Sequence, residues 1–279
     1  MRTLRIIAGL TLREAVRRKI VLAALVMGGL FLTVYSVGFY YMNQDIQRHA
    51  DVISMVTMKE MRNFMLLAGL YVVNFLTIAM AVLTSIDTLS GEISSGTVQT
   101  LVAKPVRRWE IVLGKWIGFV VLLTSYLLLM AGGVMVIVLV ISGQHAPKPF
   151  LGLSLVWLNG LLLLSLSFFG GSRLSTLANG VLAFGLYGIG FVGGWIEQFG
   201  WIAGKPAAVN VGILSSLMFP GEALWKRAAF ELQSPLVKAL GISPFTSASP
   251  PNAMMIGYAV IYAAVILALA VHKFSRRDL

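Results

Sequence analysis

The sequence predicts an all-α membrane protein of six spanning helices, and three observations lead there. Hydrophobic residues make up 58% of the 279 positions and charged residues 12%, about half the charge of an ordinary soluble domain. Mean hydropathy is +0.85. Six stretches approach the roughly 20 apolar residues needed to cross about 30 Å of hydrocarbon. Lipid offers the backbone no hydrogen-bond partner, so such stretches must be helical, and no ten-residue alternation suggests a barrel.

The first element is an expected interfacial helix over residues 1–19. Leu4, Ile7, Ala8, Thr11 and Ala15 fall on one face, and Arg5, Arg13 and Arg17 on another. Arg13, Arg17, Arg18 and Lys19 are then anchors to lipid phosphates; ordinary positive flanking of the first span is the competing reading. No small-residue cleavage site follows, so this is not read as a signal peptide. The first span is Ile20–Met42, and the mixed-charge loop Asn43–Asn63 is expected to prolong the first two helices. Phe64–Ile86 is the second span. After the polar insert at 87–115 come Trp116–Ser142, the two-proline link Gly143–Phe150, Leu151–Phe169 and Leu177–Ile196. The 197–252 loop holds two short helices: Ala207–Phe219, too short to span and so re-entrant or interfacial, and the amphipathic Glu222–Gln233 beyond Pro220-Gly221. Met254–Val271 closes the set.

Lys and Arg counts give the orientation. The side holding the N-terminus, the insert, the 170–176 turn and the C-terminal tail carries fourteen of the 22 basic residues. That side is expected to be cytoplasmic. The net charge of +11 clusters beside apolar segments, which favours a membrane surface over nucleic acid.

Several chemistries are excluded or disfavoured. Cysteine is absent, so no thiolate ligand or nucleophile exists. His49, His145 and His272 stand apart, without metal-site spacing. None of the six spans contains Asp, Glu, Lys or Arg, which counts against an ion-driven transporter. Leu113-Gly114-Lys115-Trp116 has a Gly-Lys pair but lacks the upstream glycine and the hydroxyl of a phosphate loop. The chain is therefore not expected to be an enzyme, and any energy must come from a partner.

Polar groups remain near the centre of the spans: Asn74 and Thr77 in the second, Asn159 in the fourth. Interhelical hydrogen bonding explains them, as does lining a substrate path or a dimer seam. Gly114/Gly118 and Gly190/Gly194 have the spacing of close helix contacts.

The insert reads DTLSGEISSGTVQTLVAKPVRRWEIVLGK. Asp87 and Thr88 are expected to cap a helix, and Ser90-Gly91 permits a change of direction. Glu92–Val102 forms a short helix with Ile93, Val98, Leu101 and Val102 on its apolar side, Pro105 ends it, and Arg107 and Arg108 precede the return to the membrane. A plain anchored loop is the simpler reading. This string resembles the signature of type-2 ATP-binding-cassette exporter permeases: Glu-Ile-x-x-Gly-Thr, then Leu-x-x-x-Pro-Val-x-Arg, then Leu-Gly-Lys, between spans two and three. The terminal FSRRDL and the order of elements fit as well.

The resemblance implies that Glu92–Leu101 is a coupling helix docking on an ATPase subunit. Glu92, Ile93, Gly96, Thr97, Leu101, Pro105, Arg107 and Arg108 would then be the coupling residues. It also implies two permease chains with two ATPase chains, a path along their two-fold axis, export across the cytoplasmic (inner) membrane, and ATP and magnesium on the partner, with no cofactor on this chain. Unlike fused relatives, the chain is not expected to carry a nucleotide-binding domain of its own. A membrane scaffold or assembly factor using the same docking insert without a transport cycle is the alternative.

Overall fold

The computed structural model describes residues 2–49, 51, 54–96, 107–234 and 251–276. Among them all regular structure is helical: α1 (Arg2–Val16), α2 (Lys19–Arg48), α3 (Met55–Ser85), α4 (Ser90–Ser94), α5 (Arg108–Ser142), α6 (Pro149–Gly171), α7 (Thr176–Ile202), α8 (Pro206–Met218), α9 (Gly221–Leu232) and α10 (Ala253–Ser275). Six of these are long and apolar enough to cross a membrane: α2, α3, α5, α6, α7 and α10.

The centre of the bundle is α3 and α6. In these two helices 61% and 67% of the most apolar window is buried, against 11% in α2 and α10. The outer helices therefore present their apolar faces outward, as lipid or another chain requires. Several helices outrun the apolar stretches, because polar residues continue the helix once it has left the apolar layer. Thus α2 runs on through Asp45 to Arg48, and α3 begins at Met55, with the Ser54 hydroxyl accepting from the Thr57 amide.

Both expected small-residue contacts form, each with a partner that spacing does not reveal. A Cβ on Gly114 would lie 2.8 Å from Ile7, and one on Gly118 would lie 2.8 Å from the Ala8 carbonyl. The missing side chains thus let α1 lie across the start of α5. Gly190, Gly193 and Gly194 of α7 face Phe219, Ser215 and Glu222. They seat a hairpin rather than another span.

That hairpin is α8 and α9, which meet at 104°, with Pro220 and Gly221 at the bend. Its tip reaches deep into the bundle: a Cβ on Gly221 would sit 2.7 Å from Asn159 Oδ1. On α9, Trp225 is 1% exposed and its ring lies 5.0 Å from that of Tyr71 on α3. Because α9 is packed on the central helices and α8 lies along α7, the hairpin ties α7 to the core.

Candidate coupling interface

The insert leaves α3 through a tight series of side-chain bonds. Ser85 donates to Ser167 on α6 at 2.8 Å, and the Asn179 amide of α7 donates to the carbonyls of Ile86 and Ser167 at 3.0 and 2.9 Å. One fully buried amide thus ties the end of α3, where the Ser90 hydroxyl also donates to the Ile86 carbonyl at 2.8 Å, to the last turns of α6. Thr176 at the start of α7 donates to Asp87 Oδ1 at 2.8 Å and shares a 2.9 Å hydrogen bond with Ser90.

The expected capping role of Asp87 and Thr88 is corrected here. Leu89 stands at the N-cap of α4 without a side-chain cap; Asp87 is instead bonded to Thr176, and Thr88 returns its hydroxyl to the Thr84 carbonyl. The carboxylate of Asp87 lies over Gly91, where a Cβ would come within 2.7 Å of Asp87 Cγ.

The single helix expected from Glu92 onward is corrected too. It starts earlier, at Ser90, and stops at Ser94. Gly96 has φ +71°, the left-handed conformation that ends helices and that glycine adopts without strain. Within the short helix, the Glu92 carboxylate accepts from Lys115 on α5. The Lys115 side chain is 7% exposed and that of Glu92 17%, so water screens this pair far less than a surface ion pair. Ile93 packs at the edge of the apolar core. Thr97, Leu101 and Pro105 lie outside the described residues.

At the return to the bundle, the Arg107 amide donates to the Glu110 carboxylate at 3.3 Å, capping α5. Arg108 donates to the Ser275 carbonyl at 3.2 Å, which joins this end of α5 to the last turn of α10. The N-terminal cations divide in the same region: Arg18 is paired with Glu14 at 2.6 Å, while Arg13, Arg17 and Lys19 are exposed.

Two further clusters connect this end to the far side of the bundle. In the middle, Asn159 donates to Asn74 Oδ1 at 3.1 Å with both residues buried, and Thr77 bonds to the Val73 carbonyl of its own helix. The two amides therefore join α3 to α6 below the hairpin tip. Beside that tip, Lys226 of α9 donates to Glu197 of α7 at 2.8 Å and to the Gly194 carbonyl at 3.2 Å. Glu222, between the fifth and sixth spans, keeps one buried carboxylate oxygen with no partner. Its burial pushes the carboxyl up to about 7, Lys226 pulling it down and Glu197 adding to the rise.

Asp87, Ser90, Thr176 and Asn179 form the seam that sequence reading missed as a unit. The available signal was the crowding of hydroxyls and amides at the ends of two apolar stretches that are 89 residues apart at Asp87 and Thr176. Lys115 was visible as part of a string, but not as the partner of Glu92.

Comparison with known proteins gives one family match: the model described as "ABC-2 family transporter protein" covers residues 5–196. No curated protein matches the sequence. The matched part contains most of α1, all of α2 to α6, the described part of the insert and most of α7.

Proposed function

The chain belongs to the ABC-2 transporter family, and on that premise we propose that it is the permease subunit of an ATP-driven exporter. Membrane proteins of this family work with ABC ATPases. In this reading two copies of the chain form the translocation path, and two cytoplasmic ATPase subunits bind ATP and magnesium beneath them. The insert side is cytoplasmic by the positive-inside bias, which puts both termini inside the cytoplasmic membrane and the α8–α9 hairpin outside.

The observation that supports coupling at the insert is its double attachment. Glu92 is held to α5 by Lys115, and Asp87 and Ser90 are held to α7 by Thr176. A displacement of α4 by a closing ATPase dimer thus reaches two spans directly. From α7 it passes through the Gly190–Gly194 contacts to the hairpin, whose tip rests against the Asn74–Asn159 pair. The chain supplies the lever and the wall of the path; the partner supplies the chemistry.

The test uses the purified chain with its own ATPase. Ile93→Glu, together with the charge reversal Glu92→Arg plus Arg108→Glu, should abolish co-purification of the ATPase and stimulation of its hydrolysis. Docking that survives both changes would place the contact elsewhere. Docking without ATP-driven movement of any cargo in vesicles would favour the scaffold reading.

A further inference from the structure

The end of the bundle opposite the insert holds a cavity that the coupling elements do not use. It measures about 580 Å³, within the usual range for small-molecule sites. Lys59, Glu60, Arg62 and Asn63 from the first turns of α3 form one wall, and Gln144 and His145 from the α5–α6 link form the other. The same Gln144 and His145 also line a second, narrower cavity of about 150 Å³, whose remaining walls include Leu66, Met135 and Leu139. A charged chamber thus adjoins an apolar slot between α3 and α5.

The walls are held in place by their own bonds. Gln144 donates to the Lys59 carbonyl at 3.1 Å and Asn63 to the Leu232 carbonyl at 3.2 Å. Glu60 accepts from Ser234 through one oxygen, while its other oxygen is buried without a partner. The cations are not used in this way. Among the described residues no hydrogen bond or ion pair engages the side chain of Lys59 or Arg62, and Arg62 Nε is buried with no acceptor. A guanidinium nitrogen withdrawn from water without an acceptor is costly, and a ligand oxygen would relieve that cost. Two cations, the exposed Lys59 and the half-buried Arg62, line this cavity with one carboxylate, so the favoured ligand is an anion.

We propose that the joined cavities bind an anionic amphiphile. Its phosphate or carboxylate head is held by Arg62 and Lys59, and its acyl chain lies in the slot beside Leu66, Met135 and Leu139. An arginine fork suits such a head better than a lysine point charge. This site stands apart from the ATPase contact, and its test needs no ATPase.

The full chain is placed in phosphatidylcholine nanodiscs and titrated with phosphatidylglycerol from the bilayer, or with dodecyl phosphate or inorganic phosphate from water. Saturable binding of phosphatidylglycerol, read by native mass spectrometry, is the expected result. Arg62→Gln should weaken it about tenfold, the loss of one charge-assisted bond, and Arg62→Lys should recover part of it. Leu139→Trp should block the chain from the slot and weaken binding with the cations intact. Phosphatidylglycerol alone binding identifies a bilayer lipid; dodecyl phosphate binding as well identifies an amphiphile taken from water. Three results would overturn the proposal: equal retention of phosphatidylcholine, an affinity unchanged by Arg62→Gln, or inorganic phosphate binding as tightly as dodecyl phosphate.

Discussion

Lys115, in the second turn of α5, donates to the carboxylate of Glu92 on α4, and both side chains are largely withdrawn from water. Breaking a pair of this kind leaves its other member without a partner in a poorly solvated place. Lys115→Met and Glu92→Gln should each lower stability by about 1–3 kcal/mol. Each should also uncouple ATP hydrolysis from substrate addition. The double exchange Glu92→Lys with Lys115→Glu should recover thermal stability more than it recovers coupling, since the ATPase would meet a lysine where it expects an acid. Paired measurements of melting temperature and stimulated hydrolysis check this.

Asn179 is the second point at which a small change should have a large effect. Its amide donates to the Ile86 and Ser167 carbonyls, so Asn179→Ala removes two hydrogen bonds between helices, although Ile86 keeps the Ser90 hydroxyl. A loss of about 2 kcal/mol is expected, together with faster hydrogen exchange at the α3 and α7 ends facing the insert. Exchange that rises uniformly over the chain, and not at those ends, would count against a local brace.

The α1–α5 contact depends on the absence of side chains. Gly118→Val would drive a methyl group into the Ala8 carbonyl and Thr11. A cost of about 1–3 kcal/mol is expected, with α1 released towards the lipid. Because the sequence contains no cysteine, a cysteine pair placed at Ile7 and Gly114, whose side-chain positions meet across this contact, reports the release as lost cross-linking in that variant.

A pH dependence is expected from Glu222. Its carboxyl is raised from 4.5 to about 7 by burial, so the folded state holds a proton that the unfolded state releases near 4.5. The stability this proton supplies is complete below about pH 4.5 and declines as pH rises through about 7. The titratable groups facing Glu222 are Glu197 and Tyr187 of α7, Tyr71 of α3 and Lys226 of α9. Hydrogen exchange in α9 should therefore quicken between pH 5 and 8, and Glu222→Gln should flatten the change. An equally steep profile in Glu222→Gln would remove this acid as its source.

Much of this architecture was legible because lipid imposes simple rules on a sequence. Uninterrupted apolar length identified the spans, and Pro220-Gly221 marked the bend between α8 and α9. Gly114/Gly118 and Gly190/Gly194 announced close contacts, but the partners proved to be α1 and the hairpin, since spacing describes only one side of an interface. Asn74 and Asn159 were legible as buried amides in need of bonds; that they bond to each other depends on how α3 and α6 sit side by side. The Glu92–Lys115 pair was least accessible. It depends on where α4 starts and stops, and a left-handed turn at Gly96 decides that more than helix propensity does.

One consequence follows from the length of α3. Its 31 residues form a single helix of about 46 Å, uninterrupted by proline, with Arg62 and Asn63 near one end, Asn74 midway and Ser85 at the other. A rotation imposed at Ser85 would be carried along this one element towards Arg62, resisted on the way by the Asn74–Asn159 bond and by the bond of Asn63 to the Leu232 carbonyl. If the chamber binds its anion and the insert couples as proposed above, occupancy of the one and posture of the other would be two readings of the same angle.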